Sequence, residues 1–294
     1  MSSINPSFGS LGDMSGFGLN GYYAFNDMFA LFGSYERDSY DYASETLENQ
    51  RIDLFLKYRA LDVLTFDIGY KRNQGANFNI TNEALLNNML RRITGDKSVS
   101  IEGNVIHTDK GDLVLEDDDG NAVYPHITVE NLYDDSFYLR LLTGFKPHES
   151  VVLDFYAGIS QTTTHTRFGM YPDDNAKLQF AMALYAPDLN LNHTEMSYRA
   201  GLNAGVNFLT SGFFELNYEF VYTDREASED YIDKDHILKA YVGSKIGESL
   251  LVYLGGQAMY RQLSNEVPYL YNQYTQTTFD HKYGYIELGA GYRF

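Results

Sequence analysis

Residues 196–208 read Met196-Ser197-Tyr198-Arg199-Ala200-Gly201-Leu202-Asn203-Ala204-Gly205-Val206-Asn207-Phe208. Successive side chains of a strand point to opposite sides. Met196, Tyr198, Ala200, Leu202, Ala204, Val206 and Phe208 therefore share one face, and Ser197, Arg199, Gly201, Asn203, Gly205 and Asn207 share the other. The run is about twice the usual strand of roughly 5 to 6 residues. It also exceeds the about 9 to 11 residues with which a tilted strand crosses a bilayer. The pattern recurs at 51–59, where Ile52, Leu54, Leu56 and Tyr58 oppose Arg51, Asp53, Phe55, Lys57 and Arg59. One face suits lipid and the other suits water.

Composition narrows the alternatives. The 294 residues contain no Cys and no Trp but 26 Tyr and 19 Phe, so neither disulfides nor a thiolate metal site is available. A net charge of -18 argues against a nucleic-acid partner, which is held by clustered Lys and Arg. No apolar run is long enough for a transmembrane helix, whereas strands need only alternation. The start, Met1-Ser2-Ser3-Ile4, lacks a basic region followed by an apolar core and reads as a mature sequence with its signal peptide removed. No cofactor is expected.

At the other end, Gly284, Ile286, Leu288, Ala290, Tyr292 and Phe294 alternate with Tyr285, Glu287, Gly289, Gly291 and Arg293. This resembles the closing strand of Gram-negative outer-membrane β-barrels, in which a terminal Phe with aromatic or apolar residues at alternating positions is read by the barrel-assembly machinery. The resemblance implies that Tyr292 and Phe294 form that assembly signal. The stretch from Ser15 to Tyr35 looks like a hairpin common in porin-like outer-membrane proteins. Together these imply a bacterial outer-membrane location, with the lipid bilayer, lipopolysaccharide and the assembly machinery as partners. They name no substrate.

Connections alternate in length. Short turns near Asn26-Asp27, Leu61-Asp62, Pro147 to Ser150, Thr210 to Gly212 and Gly247 to Ser249 separate longer segments at 38–48, 74–134, 164–193, 224–235 and 262–280. Outer-membrane barrels have short periplasmic turns and long outer loops. The expected fold is all-β: one closed antiparallel up-and-down transmembrane β-barrel over 1–294, with 12 strands and a range of 10 to 14. Strands starting near Met28, Val63, Val151, Phe213 and Leu250 run outward, and eleven strands follow from Ser15. An even count requires one more within 1–14, where Ile4, Phe8 and Leu11 give a poor pattern interrupted by Pro6.

The polar faces place Arg51, Asp53, Lys57, Arg59, Asp67, Lys71, Arg140, Lys146, Asp154, Arg199, Glu215, Glu219, Lys239, Lys245, Arg261, Glu287 and Arg293 toward the lumen. These charges either pair across neighbouring strands or form the basic wall of a water-filled pore. Acidic outer loops, including Asp38, Asp41, Glu45, Glu48, Glu116, Asp117, Asp118, Asp119, Asp173, Asp174, Glu226, Glu229 and Asp230, would oppose anion entry. The 74–134 segment is too long for a plain connection. It reads as an extracellular cap or plug, with a short helix over Asn82–Arg92 and hairpins in Ser98–His107, Asp112–Glu116 and Val123–Val129. Within it, Asp117, Asp119 and Asn121 form a weak Ca²⁺ candidate that lacks the spacing and distal Glu of an EF-hand, and a solvated turn fits the same residues.

Asp233-Lys234-Asp235-His236 and Asp280-His281 lie near outer strand ends, where resemblance to omptin, phospholipase and lipid A deacylase barrels would place a hydrolase site. The tryptophan-rich strands and second acidic pair of omptins are missing, so no enzyme is expected. Tyr22, Tyr23, Tyr35, Tyr58, Tyr260 and Tyr292 are girdle candidates, and Tyr269, Tyr271 and Tyr274 a candidate sugar-stacking or partner surface. The leading expectation is a porin-like channel for small solutes or ions, narrowed by the 74–134 loop. The alternative is a structural or recognition barrel whose loops bind a partner protein, glycan or phage.

Overall fold

The alternating stretches fold as strands in a computed structural model that describes residues 3–11, 14–42, 45–94, 98–185, 192–225, 233–260 and 283–293. In chain order the elements are β1 (Ser3–Leu11), β2 (Met14–Ala24), β3 (Phe29–Tyr42), β4 (Glu45–Leu61), β5 (Leu64–Gly75), β6 (Phe78–Ile80), α1 (Glu83–Thr94), β7 (Ser100–Glu102), β8 (Val105–Thr108), β9 (Gly111–Val114), β10 (His126–His148), β11 (Val151–Tyr171), α2 (Ala176–Tyr185), β12 (His193–Phe208), β13 (Gly212–Arg225), β14 (Lys234–Ile246), β15 (Leu250–Tyr260) and β16 (Tyr283–Arg293). The main sheet runs β11 to β16, then β1 to β5, then β10, which pairs with β6 and also with β11. Every pairing is antiparallel, as up-and-down connections require.

The wall departs from the closed barrel expected from the sequence. Apart from β1, the other eleven wall strands form an open, strongly curled half-barrel whose edges stand 9 Å apart. That separation is about two strand spacings of roughly 4.7–4.9 Å, the width of one inserted strand. β1 occupies this position, with Phe8 opposite Phe17 on β2 and opposite Leu288 on β16. Its ladder to β2 is unbroken, whereas on the β16 side Pro6 brings no backbone N–H. The ladder to β16 joins Ser3 and Ile4, resumes at Ser7, and skips Asn5 and Pro6. The outer end carries α1, a separate sheet of β7, β8 and β9, and α2, the last a helix for which the sequence reading offered no expectation.

Two different apolar surfaces result. On the wall, Leu54, Leu56, Ile68, Leu139, Leu141, Leu216, Leu254 and Leu288 project outward and stay exposed, Ile68 at 61 % and Leu288 at 60 %. Such a belt requires lipid around it. At the short-turn end it is bordered by stacked rings, Phe29 on Tyr58 at 5.0 Å and Tyr58 near Phe66 at 6.5 Å, matching an interfacial girdle. Most of the buried apolar side chains among the described residues sit above the wall: Leu86 and Leu90 of α1, Ile101, Ile106, Leu115, Ile127, Val129, Leu132 and Leu178 of α2. Among the described residues, no helix is long and apolar enough to cross a membrane.

Candidate functional site

Inward-facing residues of β4, β5 and β10 meet in one packed cluster. The Tyr138 hydroxyl donates to Asp53 at 2.5 Å. Arg140 lies 3.1 Å from Asp67, and Lys57 lies 3.8 Å from the same carboxylate. The Arg140 guanidinium rests over the rings of Phe55 and Tyr138 at 5.0 and 5.1 Å, and Phe55 stacks on Phe32 at 4.6 Å. On the adjoining strands β11, β12 and β13, Glu219 accepts from Arg199 and from the Tyr156 hydroxyl, both at 2.9 Å. Higher on the wall, Arg51 pairs with Glu36 at 2.7 Å and Asp38 at 3.5 Å. Half-buried charges persist when paired and hydrogen-bonded, and removing one partner strands the other.

Glycines make room for this packing. Tyr138, Tyr156, Tyr241 and Tyr253 lie directly across from Gly69, Gly201, Gly255 and Gly289 on neighbouring strands, and each ring fills the space a Cβ would take. Between the two clusters a cavity of about 80 Å³ is bounded by Asp53, Lys71, Ser136, Tyr138, Arg140, Ser160, Arg199 and Glu219. Its polar lining and size suit bound water. A wider vestibule of about 540 Å³ opens at the short-turn end among Lys57, Arg59, Asp62, Lys146 and Asp154.

The structure thus brings Asp53, Lys57, Asp67, Lys71, Arg140, Arg199 and Glu219 together, and gives Arg51 its own acidic partners. Arg59 and Asp154 line the vestibule. Glu215 and Lys245 are exposed on their strands, whereas Lys239 and Glu287 are half-buried. Arg261 and Phe294 lie outside the described residues, as do Glu226, Glu229, Asp230, Tyr269, Tyr271, Tyr274, Asp280 and His281. Tyr292 faces outward and is 56 % exposed. Tyr138 and Tyr156 are lumen residues that charge alone did not reveal. Their signal was phase: they share a face with Arg140 and with Asp154.

Above the wall lies a folded cap. Asn87 of α1 exchanges two hydrogen bonds with the backbone of Ile101, donating at 2.9 Å and accepting at 2.6 Å. The Glu83 carboxylate accepts the Gly103 N–H at 2.9 Å. Asn175 caps α2 by accepting the Leu178 N–H at 3.1 Å and donates to the Glu116 carbonyl at 3.0 Å. Lys177 donates to the Val114 carbonyl at 2.7 Å, tying α2 to the small sheet. Tyr124 is 67 % exposed and Phe180 60 % exposed on this cap.

The candidate Ca²⁺ turn is closed by its own hydrogen bonds. Asp117 accepts the N–H groups of Asp119 and Asn121 at 3.0 and 2.8 Å and the Asn121 side-chain amide at 2.9 Å. These bonds, with the Asn121 side chain foremost, hold the Asp117 carboxyl below the usual carboxylate range. Among the described residues, no group of three or more His, Asp or Glu side chains is placed to hold a metal ion. Asp235 and His236 do not converge, because adjacent strand residues point to opposite faces. Asp235 is buried inward, whereas His236 bonds through Nδ1 to the Tyr218 hydroxyl at 2.7 Å, on the outer face.

No family model and no curated protein matches this chain. Solved structures do match its fold. The translocator domain of the autotransporter NalP from Neisseria meningitidis superposes with TM-score 0.51 at 10 % identity, covering 100 % of this chain and 86 % of that one. LpxR from Salmonella typhimurium gives 0.50 at 11 % identity over 99 % and 100 % of the two chains. The NanC porin gives 0.50 at 7 % identity over 100 % of both. Likeness at such identities carries the fold and no substrate.

These findings correct the porin-like channel expected from the sequence. The wall is an open half-barrel, and its fold is matched as well by a translocator domain and by LpxR as by a porin. Of the basic residues that suggested an anion path, Arg51, Lys57, Arg140 and Arg199 are paired with carboxylates. The chain is a β-rich outer-membrane protein whose fold is that of bacterial porins and autotransporter translocator domains.

Proposed function

We propose that this protein is a recognition protein, a membrane-anchored wall that presents a folded outer cap to a partner protein, glycan or phage. The observation that carries this reading is the cap's own apolar core, in which Leu86, Ile101, Ile106, Leu115 and Leu178 are almost fully buried. Plain connecting loops have no need to bury such a core. A pre-ordered surface loses less entropy on binding than a mobile loop, so ordering the cap favours recognition. The exposed rings of Tyr124 and Phe180 supply rigid contact area of the kind that dominates interfaces.

Binding rather than hydrolysis is the proposed role, supported by the divergent faces of Asp235 and His236. Outward Tyr292 is proposed to meet the assembly machinery. Just above the apolar belt, Arg72 lies 4.2 Å over the Tyr133 ring, which stacks on His165 at 4.6 Å. This polar and aromatic stripe is proposed to meet lipopolysaccharide headgroups.

The test compares the intact chain with one whose segment Ala76 to Asn131 is replaced by a short linker. Both are presented in nanodiscs to a glycan array and on cells to a phage panel. Binding by the intact form that is lost in the linker form, with the wall still folded, is the expected result. Binding that survives cap removal, or no binding by either form, would sink the proposal.

A further inference from the structure

The opening in the wall is one strand wide, and β1 fills it, paired with β2 at every residue from Ser3–Tyr22 to Leu11–Met14 but with β16 only in two separate runs. Among the wall strands β3 and β4 pair without a break from Phe29–Tyr58 to Tyr42–Glu45. β1 has 9 residues, contains Pro6, and misses two positions of its ladder to β16. The flanking strands are glycine-rich: Gly16, Gly18 and Gly21 lie on β2, and Gly284, Gly289 and Gly291 on β16. Gly9 of β1 faces Gly16, so that pair joins no side chains. Glycine-rich strands specify their register weakly and are prone to alternate pairing and strand exchange.

From this we infer that the seam between β2 and β16 is a strand-acceptor site, in which β1 can be displaced by an extended segment of a partner polypeptide. The occupant must be a polypeptide, because of what β1 leaves behind. Once it departs, the facing N–H and C=O groups of both edges lie at membrane depth without partners, and hydrocarbon cannot satisfy them. Lipid has no matching donors and acceptors. A strand supplies both at the spacing that a 9 Å opening admits. Its side chains should alternate, apolar toward lipid beside Ile286 and Leu288, and small or polar toward the lumen beside Gly289. This inference concerns the wall and stands apart from the reading of the cap.

The chain has no cysteine, so introduced thiols report cleanly. Ser10 pairs with Ile286 in the native register. The full-length Ile286→Cys protein in phosphatidylcholine vesicles is incubated under mild oxidation with a synthetic peptide of residues 1–14 carrying Ser10→Cys. Leu254→Cys, a similarly exposed position on β15 with both neighbours paired, is the matched control. The expected result is a disulfide adduct formed several-fold faster at position 286 than at 254, and absent with a scrambled peptide. Equal rates at the two positions, or no adduct above the scrambled peptide, would overturn the inference. A chain lacking residues 1–13, where it folds, should react faster still; the intact chain decides the matter where it does not.

Discussion

Inside this wall a tyrosine ring needs a glycine opposite it, and that pairing fixes where the lumen is filled. The Tyr156 ring occupies the place of a side chain at Gly201, and its hydroxyl reaches Glu219 at 2.9 Å only from there. Gly201→Ala is therefore expected to destabilise the wall by about 1–3 kcal/mol through overpacking, read as a lower urea midpoint in micelles. The in-phase control Asn203→Ala should change it much less. Adding Tyr156→Ser to Gly201→Ala should recover part of the loss, since contacting residues couple; equal midpoints for the Gly201 and Asn203 variants would refute the account. Asp117 gives a pH signature at the same scale. Its folded-state pKa is depressed by the Asn121 and Asp119 donors, so the turn is fully favoured above the unfolded carboxylate value of about 3.9 and weakens as pH falls through the folded value. The Asn121 amide resonance should titrate below that ordinary value, and Asp117→Asn should abolish the titration; a midpoint at or above it would count against the capped turn. The sequence showed the lumen charges by period two, but their tyrosine partners were hidden because a Tyr suits either face.

β10 and β11 run 23 and 21 residues, so they cross the membrane and continue upward as the stem of the cap. On β10 the inward positions are Asp134, Ser136 and Tyr138 below, but Ile127 and Val129 above. The phase slips by one residue at Asn131, which adopts φ 53°, and the register to β11 shifts between Glu130 and Tyr133. A β-bulge does this by placing one extra residue on one strand. The same slip explains why Val123–Val129 read as a separate hairpin of the cap rather than as one strand continuous with the wall, whereas the unbroken phase of 196–208 was plain. Above the bulge the strand meets a true core, and Leu115 is fully buried in it. Leu115→Ala should cost about 2–5 kcal/mol, and the loss should be confined to the cap. Limited proteolysis followed by mass spectrometry should show new cuts between α1 and β10 with the wall intact, while Leu254→Ala on the lipid face gives none. Cuts throughout the wall would mean that cap and wall fold as one unit.

Orientation and topology are whole-molecule properties, and the sequence carried them unequally. Alternating short and long connections gave an inside and an outside, because turn length is local. Closure was not legible, since it depends on every register around the sheet and on β1, where Pro6 breaks the pattern; a parity argument asked for another strand but could not say how well it would seal. Function was less legible still, because channels and translocators share this wall. The orientation itself makes a direct prediction. Gly111 begins β9 in the cap at φ 121°, and Gly247 forms the β14–β15 turn at φ 66°, both with open space around them. A short epitope inserted between Lys110 and Gly111 should bind antibody on intact cells, because the cap stands on the long-loop side that faces outward in such barrels. The same epitope between Gly247 and Glu248 should bind only after the outer membrane is permeabilised. The reverse pattern would invert the molecule, put the cap in the periplasm, and remove recognition at the cell surface as its role.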